Sequence, residues 1–169
     1  SKTFLKKCLM ATLRITPSVP ILPHRVATQD VIIDDVEVPK ASLVYLSQLY
    51  THRRADDWEC PYRFDPSRFS LRAGTIQCES PSGVRFFPFG FGMHTCMGKE
   101  LAMQEMMIVL ETLLSCCEIQ IAQNPAADPE TFSFTQHVYG FPDKHIDATF
   151  TDRANNHRQK RFTRQGTFA

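Results

Sequence analysis

No apolar stretch in this 169-residue chain is longer than the five residues Met106–Leu110. A membrane-spanning helix needs about 18, so the sequence itself supplies no anchor. The six cysteines (Cys8, Cys60, Cys78, Cys96, Cys116 and Cys117) form no C-x-x-C pair, and no secretory leader precedes them. A chain of this length can bury a core without disulfide staples, and all six are expected to be free thiols. An excess of one charge is also missing: 19 Lys and Arg face 18 Asp and Glu, leaving a formal charge of +1. That balance excludes a general nucleic-acid surface, and the basic run from Arg153 to Arg164 is read as a solvated tail, so no nucleic-acid partner is expected. The chain opens on Ser1-Lys2-Thr3-Phe4-Leu5-Lys6-Lys7, without an initiator methionine, an apolar leader or a small-residue cleavage site. It is expected to begin in mid-protein.

What the chain does contain is a sequence of short, distinct patterns. Leu5, Leu9, Leu13 and Ile15 recur at helical spacing and stop before Pro17, which predicts an amphipathic helix from Lys2 to about Thr16. Pro17, Pro20 and Pro23 then impose an extended connection. Val31, Ile33, Val36 and Val38, followed by Leu43, Tyr45 and Leu49, are β-rich runs separated by Asp34-Asp35 and Pro39-Lys40, as in a small twisted sheet. From Thr51 to Phe87 periodicity is lost and prolines and glycines punctuate the chain, which predicts a long functional loop. The segment 87–98 is rich in glycine and aromatics. Residues 99–117 follow with Leu101, Ala102, Met106, Val109, Leu113 and Leu114 along about five turns, the pattern of a core helix. Short extended segments are expected near Phe132–Tyr139 and Ile146–Phe150, and residues 151–169 are expected to form a disordered basic tail.

Chemistry concentrates in Phe89-Gly90-Phe91-Gly92-Met93-His94-Thr95-Cys96-Met97-Gly98. Glycines open backbone conformations closed to other residues, so such a loop can approach a flat macrocycle and aim a cysteine sulfur at an iron. Cys96 stands directly before a strong helix, whose free N–H groups and dipole favour a thiolate. The bland alternative, a buried inert thiol, does not account for these neighbours.

The ten residues resemble the heme-binding signature F-x-x-G-x-R/H-x-C-x-G of the cytochrome P450 family, with Phe89, Gly92, His94, Cys96 and Gly98 at its fixed positions. Phe64-Asp65-Pro66-Ser67-Arg68-Phe69 resembles the family's F-x-P-x-R-F segment, and His52-Arg53 with Trp58 resembles the H-R-x-x-x-x-W stretch before it. The landmarks fall in the family's order, and the likeness covers roughly Phe4 to Phe150. It implies a mainly α chain with small β-sheets (α+β), the C-terminal part of the cytochrome P450 fold on the proximal heme side, spanning residues 1–150. It also implies heme b (iron protoporphyrin IX) as cofactor and Cys96 as the iron ligand, with Phe89, Gly92, His94 and Gly98 lining the cofactor. His24 or Arg25 would serve as donor to a heme propionate, a role histidine fills less firmly than arginine because it lacks the bidentate fork.

By the same resemblance the complete protein would be a monooxygenase. It would use O2, a small hydrophobic substrate and electrons from a separate redox partner such as an NADPH-dependent reductase. Substrate-facing residues would lie near Val19–Leu22 and Thr135–Tyr139. Its compartment would be the endoplasmic reticulum membrane, with attachment through an N-terminal segment outside this sequence.

The likeness breaks in two places. The family's E-x-x-R pair reads Ala11-Thr12-Leu13-Arg14 here, so the structural charge network of Arg14 and Arg68 lacks its local glutamate. Nor does any segment resemble the family's central oxygen-activating helix. The alternative reading is therefore a non-catalytic truncated remnant that binds heme or a partner only.

Overall fold

The computed structural model describes residues 1–72, 75–78, 86–121, 148–154 and 159–162. Helix α1 spans Lys2–Ile15 and buries Leu9, Ala11, Leu13, Arg14 and Ile15, so its second half is enclosed on more than one side. The helix stops where the sequence predicts, because Pro17 cannot continue it. Residues 20–26 then run extended beside residues 43–49. Strand β1 (Arg25–Val26) pairs antiparallel with β4 (Leu43–Val44), Leu22 N–H donates to the Leu46 carbonyl at 2.9 Å, and Ile21 bridges to Ser47. Between them β2 (Val31–Ile33) and β3 (Val36–Val38) form a hairpin. Asp34 and Asp35 turn it with φ of +49° and +64°. Aspartate tolerates this left-handed conformation better than most residues, which is why a two-residue turn forms without glycine.

Leu49, expected to extend the last β-run, lies instead in the one-turn helix α2 (Gln48–Thr51). Ser47 decides the matter: its hydroxyl accepts the Tyr50 N–H at 3.1 Å and caps the turn. The stretch expected as a loop between Thr51 and Phe87 also contains regular structure. A 3-10 turn at Pro66–Arg68, capped by Asp65, leads into the antiparallel pair β5 (Phe69–Arg72) and β6 (Thr75–Cys78). Helix α3 spans Lys99–Cys116, and Cys117, expected as helical, begins strand β7 (Cys117–Ile121). Strand β7 pairs with β8 (Ala148–Asp152), which covers the expected extended segment at Ile146–Phe150 from residue 148 on. Strand β8 pairs in turn with β9 (Gln159–Phe162). Within 151–169, the span expected to be a disordered tail, the structure describes the end of β8 and the strand Gln159–Phe162, which takes the open edge of β8. The extended segment expected at Phe132–Tyr139 lies outside the described residues.

The core forms where α1 meets the start of α3. Leu9, Leu13 and Met103 are buried together, with Met10, Phe86, Phe89, Met106, Met107 and Leu110 packed around them. An ion pair at 2.9 Å between Lys2 and Glu111 joins the same two helices at the surface. The expectation that α3 is a core helix holds for one stripe only: Met103 is buried, whereas Leu101, Ile108, Val109 and Leu114 stand exposed. Among the described residues α1 covers only one side of α3, so the rest of the apolar surface faces outward. No helix among the described residues is long and apolar enough to cross a membrane.

Candidate functional site

Arginine and aromatic side chains fasten the irregular segment 52–63 to α1. Arg14 is fully buried, and its guanidinium donates to the main-chain carbonyls of His52 (2.9 Å), Pro61 (2.6 Å) and Arg63 (2.9 Å) while lying 4.9 Å from the Trp58 ring centre. It does not swing to solvent despite Ala11 standing one turn before it. The carbonyls of three residues take up its donors, and fully buried Ala11 lets the chain pack closely there. Arg68 donates to the carbonyls of Glu59 and Cys60 in the same segment. Arg14 and Arg68 thus clasp one irregular stretch from two sides, through backbone oxygens.

That stretch begins at α2, which grips the root of the glycine-rich loop. Gln48 and His52 are both fully buried. The Gln48 amide donates to the Phe87 carbonyl at 2.6 Å, and the Phe87 N–H donates to His52 Nε2 at 3.0 Å. An imidazole that accepts at Nε2 is neutral and carries its proton on Nδ1. Burial and then the charge of Arg14 push the His52 pKa down to about 4, against the smaller upward pull of the Leu13 carbonyl. Between pH 6.5 and 4 the unfolded chain therefore takes up a proton that the folded chain refuses. Stability should be full above about pH 6.5 and fall as pH drops, by about 3 kcal/mol at most. Denaturant midpoints at pH 7 and pH 4.5 check this: the wild-type loss should exceed that of His52→Gln, and equal losses would show that His52 is not responsible.

Beyond Phe87 the loop folds on itself. Gly90 N–H donates to the Phe87 carbonyl (2.9 Å), Thr95 N–H to Gly92 (3.2 Å) and Cys96 N–H to Phe89 (2.8 Å). Gly90 and Gly92 adopt φ of +73° and +64°, the left-handed region where side chains are strained. At Gly90 a Cβ would also meet the His94 carbonyl oxygen at 3.2 Å. Gly98 caps α3, and a Cβ there would lie 3.8 Å from the Cys96 sulfur. The thiol stands exposed at the end of this loop, with Met93 and Met97 almost fully exposed around it.

Of the expected site residues, Phe89, Gly92, His94, Cys96 and Gly98 share this one loop. Phe89 packs partly into the core and His94 is exposed. His24 and Arg25 lie on the β1–β4 ladder instead. The His24 ring is 5.5 Å from that of Tyr45, and Arg25 Nη1 donates to the carbonyls of Pro23 and His24. Among the described residues neither bonds to the Cys96 loop. Gln48 had no signal in the sequence, because reading 43–49 as a strand hid it. His52 stood in a recognisable motif without an assigned task.

The loop thus presents an exposed thiol, with Met93 and Met97 uncovered close to it in the chain. The sequence model described as Cytochrome P450 matches residues 3–150, and the chain belongs to the cytochrome P450 family. It is 33% identical over 134 residues to the probable cytochrome P450 524A1 of Dictyostelium discoideum, covering 79% of this chain and 24% of that protein. It is 32% identical over 128 residues to the steroid 17-alpha-hydroxylase/17,20 lyase of Squalus acanthias, covering 75% and 25%. To human cytochrome P450 4F2 it is 36% identical over 129 residues, covering 75% and 24%. A solved zebra fish cytochrome P450 with abiraterone superposes with a TM-score of 0.69 at 27% identity, over 89% of this chain and 34% of that one. The chain thus spans about a quarter of the length of the curated relatives it matches.

Membership implies heme, and the residues present fit it. One soft sulfur donor is exposed at Cys96, Gly90 stands where a side chain would press on the His94 carbonyl, and Met93 and Met97, near Cys96 in the chain, are uncovered apolar side chains. Among the described residues no group of three or more His, Cys, Asp or Glu could hold a bare metal ion.

Proposed function

We propose that this chain is the proximal, C-terminal segment (residues 1–150) of a heme-thiolate monooxygenase, and that Cys96 is the residue that would hold the heme iron through its thiolate. The observation that carries the reading is the exposed Cys96 thiol at the end of a self-bonded glycine loop, immediately before α3, in a chain of this family. Bound iron protoporphyrin IX would supply oxygen activation at its iron, which a thiolate donor assists by pushing electron density onto the metal. The chain's own residues bind and orient. Phe89, Gly92 and Gly98 shape the face against the macrocycle, and Cys96 holds the metal. His94 and one of His24 or Arg25 donate to propionate groups, and Arg14 and Arg68 brace the segment behind the loop.

The complete protein would oxygenate a small hydrophobic substrate with O2, taking electrons from a separate partner such as an NADPH-dependent reductase. By analogy with eukaryotic members of the family we infer the endoplasmic reticulum membrane for this protein, with attachment through a segment outside this sequence. Substrate contacts would come from Val19–Leu22, beside β1, and from Thr135–Tyr139, which lies outside the described residues.

The test is product formation from a panel of apolar substrates with NADPH and a reductase, comparing the 169-residue chain with a full-length P450 into which these residues are grafted. Oxygenated product is expected from the graft and none from the short chain. A site that also excludes water and holds substrate near the iron needs a second wall, and this chain leaves Met93, Met97 and Leu101 uncovered. Cys96-dependent product from the short chain would overturn the assignment of these residues to one wall alone. A graft that binds heme through Cys96 without forming product would favour the non-catalytic remnant, the reading to which Ala11 points.

A further inference from the structure

Residues Phe91 to Met97 are all exposed, so their surroundings do little to fix them. The loop is tied to the body at its two ends. One end is α3, seated through Met103 on Leu9 and Leu13. The other is Phe87, and there the attachment is unusually complete: the main-chain N–H is taken by His52 Nε2 at 3.0 Å, and the main-chain carbonyl receives the Gln48 amide at 2.6 Å. The same carbonyl accepts Gly90 N–H, and two residues on the Phe89 carbonyl accepts Cys96 N–H. A short chain of bonds therefore runs from α2 through Phe87 and Phe89 to the backbone of Cys96.

The rings strengthen the grip. His52 lies 5.1 Å from both Phe86 and Phe87, Phe86 lies 5.1 Å from Phe69, and Phe87 reaches Phe91 at 5.3 Å. On its other side the His52 carbonyl receives Arg14 Nη1 from α1. His52 thus receives a bond from α1 on its backbone and one from the loop on its ring.

We propose that His52 and Gln48 are positioning residues for Cys96: by holding both backbone groups of Phe87 they set the height and direction of the loop that presents the sulfur. This rests on the reading of Cys96 as the heme ligand. A role confined to packing would make ring volume at residue 52 the deciding property. Positioning through Phe87 makes the acceptor atom decide.

The variants His52→Leu, His52→Gln, Gln48→Leu and Cys96→Ser, made in the full-length, heme-loaded protein, separate the two. Backbone amide exchange at Phe87 is read in the heme-free form, and the ferrous carbon-monoxide spectrum in the loaded form. His52→Leu should speed Phe87 exchange about tenfold and convert part of the thiolate-type band to the thiol type. His52→Gln, which can return an oxygen acceptor near the Nε2 position, should restore most of both. Gln48→Leu leaves the Phe87 N–H bond intact and should still shift the band, so it carries the test if His52→Leu fails to fold. An unchanged band in Gln48→Leu, or unchanged Phe87 exchange and band in His52→Leu, would overturn the positioning role, as would equal band loss in His52→Leu and His52→Gln. A normal thiolate band in Cys96→Ser would overturn the ligand assignment itself, and the positioning role with it.

Discussion

Cys96→Ser is expected to abolish the thiolate signature of bound heme completely, whereas serine at Cys8, Cys60, Cys78, Cys116 or Cys117 leaves it intact. A serine hydroxyl at Cys96 would be a hard, protonated oxygen in place of a soft anionic sulfur, and a soft donor is what distinguishes this ligation from an imidazole or carboxylate site. The other described thiols lack the geometry. Cys8 lies on α1, where burial pushes its pKa up, and Cys60 sits among the carbonyls that Arg68 binds. Cys116 and Cys117 occupy the junction of α3 and β7, at the opposite end of α3 from the loop. The carbon-monoxide difference spectrum of each heme-loaded variant is the measurement. A thiolate band that survives in Cys96→Ser and disappears in any other variant would refute the assignment.

The site was legible in the sequence because its constraints are local. A loop that must approach a macrocycle needs glycine at fixed intervals from its cysteine, and such intervals can be read without tertiary knowledge. Gly90 and Gly92 do adopt left-handed backbone, and Gly98 does stand beside the sulfur. Helix α1 was legible for the same reason, since periodic leucines ending at a proline state both its face and its limit.

What failed to show depends on contacts between distant residues. The turn at Gln48–Thr51 exists because Ser47 caps it and because Gln48 and His52 find Phe87, 39 and 35 residues further on. Nothing in the β-rich run 43–49 marks that partnership. Strands β5 and β6 were hidden among prolines and glycines, and β9 among charged residues, because pairing along an existing strand edge asks little of the side chains. What takes the place of the missing glutamate at Ala11 stayed hidden for a related reason. Sequence shows the lost partner one turn away, and it does not show the carbonyls of His52, Pro61 and Arg63 converging from 38 to 49 residues away.

Those carbonyls make Arg14 the residue whose loss should cost the most stability. Arg14→Ala removes a fully buried guanidinium that serves three main-chain oxygens and lies over Trp58. Each oxygen would lose a charge-assisted bond and remain buried or nearly so, and the emptied volume would sit against the core residues Leu13 and Trp58. Contributions of this kind are not additive; one unsatisfied buried acceptor costs about 1–3 kcal/mol, and the three together are expected to cost about 3–5 kcal/mol. That is the loss expected in the denaturant midpoint of the full-length protein, and it is a large fraction of a domain's total stability. Arg14→Lys should recover only a part, because a single ammonium cannot span three carbonyls that a planar fork reaches together. The effect should also extend to the cofactor. Arg14 holds the His52 carbonyl and His52 holds Phe87, so Arg14→Ala should weaken heme retention beyond what an exposed arginine with no place in the site, such as Arg153, would cause when replaced. Equal stability and equal heme retention in Arg14→Ala and the parent protein would mean that the irregular segment is held without Arg14, by Arg68, by Arg53 on the Ile15 carbonyl and by its aromatic packing.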